Sequence, residues 1–286
     1  IFVKGDIRDT QRVERTLKEC DVDIVVHLAG VKSVSESVSD PIDYYDNNVL
    51  GTVSLLKAMQ SANVNSLVFS SSATVYGNPL RLPIDEEHPV RAVNPYGRSK
   101  LYIEEILADL TKTSSDWRVV CLRYFNPVGA HESGLIGDDP EGTPNNLMPC
   151  VARVASGELP ILNVFGCDYE THDGTGVRDY VHVMDISEGH EAAIGYLEKH
   201  GGWHAINLGV GRGYSVLEIV KTFELVSQRV IPIEFCSRRI GDISSCFAST
   251  DKANAQLNWR AGRSLSEMCA SAWRFQLKGC KANKFP

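Results

Sequence analysis

The chain has 286 residues, 43% hydrophobic and 23% charged, the balance of a globular protein with room for one large or two modest domains. Its 29 Lys and Arg against 36 Asp and Glu leave a net charge of −7, which excludes the concentrated positive surface of a nucleic-acid binder. No apolar run reaches membrane-spanning length, and the eight cysteines form no C-x-x-C pair and no short metal spacing, so they read as reduced thiols of a cytoplasmic protein without a metal site.

Ile1-Phe2-Val3-Lys4 reads as a strand running into Gly5-Asp6-Ile7, not as a signal peptide. Asp9 or Thr10 can cap a helix over 11–20, with Val13 and Leu17 on one face. The apolar run 24–29 is expected to be a strand buried on both faces of a parallel sheet. A helix is expected over 42–62, with Tyr45, Val49, Val53, Leu56 and Met59 near helical spacing, and a strand over 66–70 that delivers Ser70-Ser71-Ser72 at its carboxyl end. A Pro-rich loop follows over 77–95. Asn94 and Pro95 then suit the cap and first turn of a helix over 96–111, buried along Ile103, Ile106, Leu107 and Leu110. Residues 118–124 form another apolar strand, ending before Phe125-Asn126.

This alternation predicts a doubly wound parallel sheet with a Rossmann-like order of elements, in which ligands sit beyond the carboxyl ends of the strands. Those ends carry Asp6, Gly30, Ser72 and Phe125. After Asn126 the texture changes. A polar loop over 129–146 precedes a helix over 147–156, a short strand ends at Phe165, and 178–183 is strand-like before a helix from Asp185. A further strand covers 205–208. Ser215-x-x-Glu218 and Ser264-x-x-Glu267 are capping boxes for two later helices. The expected organisation is therefore a domain over 1–126 and a smaller mixed α/β lobe over 127–286, with part of 177–210 returning to the first domain.

Gly209-x-Gly211-x-Gly213 follows a strand, but Tyr214 stands where a dinucleotide fingerprint requires glycine. It reads as a flexible turn before the capped helix. The chemistry points elsewhere. Tyr96 and Lys100 stand four apart on one helix and share a face, so the ammonium should lower the phenol's pKa towards that of a general base. With Ser72 they make a proton-transfer constellation, although Tyr96 alone reads better as a helix-capping aromatic.

The surrounding segments narrow the choice. Ser72 with Tyr96-x-x-x-Lys100 matches the short-chain dehydrogenase/reductase pattern. His27-Leu28-Ala29-Gly30-Val31-Lys32, Tyr45-Asp46-Asn47-Asn48, Ser71-Ser72-Ala73-Thr74-Val75-Tyr76-Gly77, Arg123-Tyr124-Phe125-Asn126-Pro127, Asn145-Asn146-Leu147, Val177-Arg178-Asp179-Tyr180 and Arg238-Arg239-Ile240-Gly241-Asp242 resemble the UDP-galactose 4-epimerases, an extended branch of that family. The resemblance runs from Phe2 to about Arg274. It implies an NAD-dependent exchange of UDP-glucose and UDP-galactose through a 4-keto sugar in galactose metabolism. Tyr96 would be the base at O4, Lys100 its charge partner and the holder of the nicotinamide ribose, and Ser72 the hydrogen-bonding partner of O4.

By the same resemblance, Asp6 and Ile7 would meet the adenine, and Leu28, Ala29, Gly30, Val31 and Lys32 would line the cofactor. Asn47 and Phe125 would border its pyrophosphate and nicotinamide. Ala73, Thr74, Asn126, Asn146 and Leu147 would close on the sugar and diphosphate, Arg178 and Arg239 would hold the phosphates, Asn163 and Phe165 would flank the uracil, and Asp242 would reach its ribose. Cys246 falls beside the sugar's 2-substituent, where a small residue leaves room for an N-acetyl group, so UDP-GlcNAc and UDP-GalNAc are expected substrates too. A homodimer is implied through the helix after Tyr96 and the one before the serine strand. A Gly-rich first turn precedes Gly5-Asp6-Ile7 in that family and is missing from this sequence. The gap, on the order of 50 residues, is somewhat more than one βαβ unit and suggests an N-terminally truncated chain. Two alternatives stand beside this reading: a nucleotide-sugar 4,6-dehydratase, and an inactive fragment or binding module.

Overall fold

The computed structural model describes residues 1–140, 142, 144–239 and 241–282; Ile240 of the Arg-Arg-x-Gly-Asp segment lies outside them. The strands in chain order are β1 (Ile24–His27), β2 (Ser66–Ser72), β3 (Arg118–Tyr124), β4 (Asn126–Val128), β5 (Leu162–Phe165), β6 (Val177–Arg178), β7 (Tyr180–His182), β8 (Gly202–Leu208), β9 (Tyr214–Ser215), β10 (Ile233–Cys236) and β11 (Ser245–Cys246). The helices are α1 (Thr10–Glu19), α2 (Val34–Ser39), α3 (Pro41–Tyr44), α4 (Gly51–Ser61), α5 (Pro95–Thr113), α6 (Leu147–Ala155), α7 (Val183–Leu197), α8 (Val216–Ser227), α9 (Asp251–Leu257) and α10 (Leu265–Ala282).

The main sheet is parallel throughout, in the order β1-β2-β3-β8, with Ser72 level with Tyr124 and Tyr124 level with Leu208. One face packs Leu67, Phe69, Val119 and Cys121 against Leu17, Leu55, Leu56, Met59, Ile103 and Leu107 of α1, α4 and α5. The other packs Val68, Val120, Leu122 and Ile206 against Ile186, Ala193 and Leu197 of α7 and Leu257 of α9. The central strands β2 and β3 therefore carry continuous apolar runs, because both of their faces are covered. The remaining strands form smaller sheets, β10-β5, β11-β6-β9 and β4-β7. A separate core gathers Met148, Val151, Leu162, Val164, Ile219, Phe223 and Met268 from α6, β5, α8 and α10.

Four expectations need correction. Among the described residues, 1–4 pair with no strand and expose Ile1, Phe2 and Val3, because a strand forms only where a neighbour meets its backbone groups. β1 is the outermost strand of its sheet and leaves Val26 exposed, so it is covered less fully than a central strand. The helix predicted over 42–62 runs as α3, a π-helical segment Tyr45–Leu50, and α4. The strand predicted over 178–183 divides into β6 and β7 at Asp179. There the chain changes partner, from β11 and β9 to β4.

The local signals that set the site are plain. Asn94 accepts from the Gly97 N–H at 2.8 Å and opens α5 with Pro95 in its first turn. Ser215 and Glu218 bond each other's backbone N–H groups at the start of α8, as Ser264 and Glu267 do before α10. Seven cysteines from Cys20 to Cys269 are free thiols; Cys280 lies outside the described side chains.

Candidate active site

The carboxyl ends of β1, β2 and β3 open onto one side of the sheet, where α5 lays its first turn across them. Close approach there depends on Gly97. A Cβ on it would lie 2.8 Å from the Thr74 carbonyl oxygen, so only glycine lets α5 settle on the turn after β2. Tyr96 and Ser72 are thereby neighbours, close enough for the Ser72 hydroxyl to favour ionisation of the phenol. Ser72 Oγ also accepts from Thr74 Oγ1 at 2.9 Å and from the Thr74 N–H at 3.2 Å, which fixes its rotamer.

Lys100 lies one turn further along α5. Its Nζ donates to the Ser70 carbonyl at 2.8 Å and sits 6.0 Å from the Tyr96 ring centre and 4.9 Å from that of Phe69. Burial pushes the ammonium down from the usual 10.5 to about 8. The expected lowering of the Tyr96 pKa does not follow. Burial raises it, and the opposing influence comes from Ser72 rather than from Lys100. Desolvation of a phenolate thus outweighs a cation at this distance.

Residues 28–30 present an exposed rim after β1, and Gly30 brings it to α5. A Cβ on Gly30 would lie 2.8 Å from Asn48 Oδ1 and 3.8 Å from Lys100 Nζ. Asn48, inside the π-helical segment, is the residue that fixes this rim. Its side chain accepts from the Val31 N–H at 2.9 Å and donates to the Val31 carbonyl at 3.1 Å and to Ser99 Oγ at 3.0 Å. The neighbouring Asn47 turns away and donates to Asp43 at 2.7 Å. A π-helical turn commonly marks a functional bend, and here it swings Asn48 inward. Lys32 is 73% exposed and 3.6 Å from Asp138. Asp6 bonds Arg8 at 2.6 Å, which holds its carboxyl at about 2, and Ile7 packs on Gly51.

Beneath Ser72 runs a buried polar network. Arg123 donates to Glu104 at 3.0 and 2.6 Å, with the two side chains 4% and 2% exposed. Ser71 also donates to Glu104; Arg123 donates to the Tyr76 hydroxyl at 2.9 Å, and that hydroxyl donates to Asn207 at 2.7 Å. Sequence reasoning missed Asn48, Glu104 and Arg123. Glu104 did carry a signal, being a carboxylate inside the apolar stripe of α5, four residues after Lys100.

The remaining residues group on the far side. Ala73, Phe125 and Cys246 share one apolar cluster with Val75, Tyr76 and Ile84, and burial pushes the Cys246 thiol up to about 11. Arg178 pairs in register with Cys246 and lies 3.7 Å from Asp242. Arg239 stacks its guanidinium 3.9 Å from the Phe165 ring centre and donates to the Asn145 carbonyl at 3.4 Å. Asn146 occupies the cap position of α6 next to Leu147, Asn163 is exposed on β5, and Asn126 is half-buried after β3. Two guanidiniums, an adjacent aromatic ring and the mouth of an α/β sheet form a set suited to a nucleoside diphosphate.

The comparisons agree with that chemistry. The sequence profile of the GDP-mannose 4,6 dehydratase family matches residues 1–272. UDP-glucose 4-epimerase of Bacillus subtilis is 53% identical over 275 residues, 96% of this chain and 81% of the relative. The structure of UDP-glucose 4-epimerase from Stenotrophomonas maltophila with NAD and formylated UDP-arabinopyranose superposes with a TM-score of 0.97 at 48% identity, covering 99% of this chain and 84% of that one. The Bifidobacterium longum enzyme in complex with NAD+ and UDP gives 0.93 at 50% identity, with 99% and 84% covered. The chain therefore belongs to the UDP-glucose 4-epimerases, within the broader GDP-mannose 4,6 dehydratase family.

Proposed function

We propose that the chain is an NAD-dependent UDP-glucose 4-epimerase, with Tyr96 as the acid–base group, Lys100 and Ser72 beside it, and the UDP moiety held by Arg178, Arg239, Phe165, Asn163 and Asp242. The observation that carries this is the convergence of Ser72, Tyr96 and Lys100 at the carboxyl end of one parallel sheet. The exposed rim fits a dinucleotide, since the space a Cβ on Gly30 would fill separates Asn48 from Lys100. Residues 28–32, Phe125 and Lys100 would hold NAD, with Asn47 at its pyrophosphate and Asp6 and Ile7 towards the adenine.

The sugar's C4 bears an unactivated C–H, and NAD when bound supplies a hydride acceptor that can return the hydride to the opposite face. Tyr96 takes the O4 proton as the C4–H bond breaks and gives it back when the bond reforms. Ser72 donates to O4 and stabilises the carbonyl oxygen of the 4-ketone. The ammonium of Lys100 favours the phenolate while the proton is away. Arg178 and Arg239 hold the diphosphate, with Asn126, Asn146 and Leu147 around it and the sugar, so the ketone is retained between the two hydride transfers.

Dehydration is disfavoured. Ser72-Ala73-Thr74 carries no carboxylate, and that of Glu104 is committed to Arg123 and Ser71. The compact, buried Cys246 supports acceptance of N-acetylated UDP-sugars as well. Exposed Leu50 and Tyr102, the latter stacked on Tyr45 at 6.1 Å, support pairing of two copies through the helices that carry them, and the free thiols suit a reducing cytoplasm. Among the described residues no helix is long and apolar enough to cross a membrane.

The test is conversion of UDP-galactose to UDP-glucose by the purified chain, with its NAD content measured alongside and Tyr96→Phe as control. Turnover lost in the variant is the expected result. NAD-loaded chain that epimerises no better than Tyr96→Phe would sink the proposal.

A further inference from the structure

The Gly209-x-Gly211-x-Gly213 turn resembles an anion cradle and follows β8, whose last residue, Leu208, is level with Tyr124 of β3. Its backbone does bind an anion, and the anion is the chain's own. The Asp179 side chain, 0% exposed, accepts from the N–H of Val210 at 2.7 Å and of Gly211 at 3.0 Å, and from the N–H of Ala248 at 3.1 Å. Gly209 and Gly211 serve this wrapping directly, and Gly213 lets the turn pass close to β6. A Cβ on Gly209 would stand 2.6 Å from Asp179 Oδ2; Gly211 takes φ +80° and supplies an N–H; a Cβ on Gly213 would stand 2.4 Å from Val177 Cγ1.

The Asp179 backbone joins the same knot. Its N–H donates to the Cys246 carbonyl at 3.0 Å, and its carbonyl accepts from the Asn126 N–H at 2.9 Å. Four segments thus meet at one residue, and three of them carry the groups assigned above to the substrate: Asn126, Arg178 and Cys246. Arg178 is the residue before Asp179 and lies in the middle strand of β11-β6-β9, opposite Cys246 on one side and Tyr214 on the other.

We propose that Asp179 is a positioning residue for the UDP-sugar: bound as an internal anion by the glycine turn, it sets Arg178 against the diphosphate and Cys246 against the sugar. It touches neither, and acts through the backbone that carries them. Apart from Phe125, the cofactor rim, made by residues 28–32 with Asn48 and Lys100, is built from other segments. Loss of the Asp179 clasp should therefore weaken substrate while sparing NAD. This rests on the assignment of Arg178 to the diphosphate made above.

The experiment uses the NAD-loaded chain, with UDP binding followed by calorimetry, bound NAD by absorbance after denaturation, and kcat and KM for UDP-galactose. Asp179→Asn keeps the size but removes the charge and turns an amide donor towards backbone donors. Gly209→Ala leaves Asp179 intact and displaces its carboxylate from the loop side. Both variants should bind UDP about tenfold more weakly or worse, the scale set by unpaired buried polar groups. KM should rise by a similar factor, with kcat within about threefold and NAD content unchanged.

Should Asp179→Asn fail to fold, Gly209→Ala decides by the same criterion. Folded variants that bind UDP within about twofold of wild type, or that lose NAD and UDP in proportion, overturn the proposal and leave epimerisation untouched. A wild-type chain that holds NAD but binds no UDP overturns the assignment of Arg178 and the proposal together.

Discussion

Replacing Lys100 by methionine should make the protein more stable while it destroys activity. The ammonium is 5% exposed, and burial moves its pKa from 10.5 to about 8. At about 1.4 kcal/mol per pH unit, the buried charge costs about 3 kcal/mol near neutral pH. Methionine matches the stem and suits the ring of Phe69, but it leaves the Ser70 carbonyl without the 2.8 Å ammonium bond, a loss of about 1 kcal/mol. The net gain is about 2 kcal/mol, or about 4–8 °C in Tm for a chain of this size. In the unfolded chain Lys100 keeps its proton to 10.5, whereas in the fold it releases it near 8. Between those values the unfolded state holds more protons, so wild-type stability rises with pH relative to Lys100→Met. The gap should be full below about pH 8 and close as pH approaches 10.5. Thermal unfolding of both proteins by circular dichroism, at fixed salt and a series of pH values, measures it. A variant no more stable than wild type at pH 7, or a gap that persists unchanged at pH 10, would refute the reasoning.

Tyr96→Phe should lower kcat for UDP-galactose by about 10²–10⁴, the range for loss of a general acid–base group, with UDP affinity retained in calorimetry. Glu104→Gln leaves the Arg123 guanidinium buried without its counter-charge and should cost about 3–5 kcal/mol in denaturant unfolding; Glu104→Met with Arg123→Met removes both charges and should recover most of that loss. If Cys246 lies beside the sugar's 2-substituent as proposed, Cys246→Tyr should abolish turnover of UDP-GlcNAc while UDP-galactose is still epimerised, as a coupled assay on both substrates would show.

Much of this architecture was legible because single residues carried unambiguous local chemistry. Asn94-Pro95 marks a helix start in any context, and the central strands announce themselves as apolar runs because helices cover both faces. Where a residue's role depends on a partner distant in the chain, the signal fades. Asn47 and Asn48 are adjacent and chemically identical, and only the π-helical segment decides which turns inward. β1 looks like an interior strand in composition, but its exposure follows from which neighbours stand beside it. The spacing of the glycine turn departs from a dinucleotide fingerprint; what it wraps, Asp179, lies about 30 residues earlier, and no spacing rule connects the two.

The spacing of Tyr96 and Lys100 shows most clearly where a sequence rule stops. It places the groups on one face of α5, as expected, and it gives the sign of their interaction. It does not give the balance, because the helix that aligns them also buries them. Burial raises the phenol and lowers the ammonium, so each group is shifted towards its neutral form by the same surroundings that make it useful. A tyrosine that keeps its proton cannot accept another from O4. Lys100, 6.0 Å from the ring and itself half discharged near pH 8, is too weak to shift that balance alone. A second positive charge entering the pocket, such as the oxidised nicotinamide ring carries, acts on Tyr96 in the same direction. With the roles proposed above, base strength at Tyr96 would be a property of the loaded site, and the motif on α5 would specify the geometry into which that charge must come.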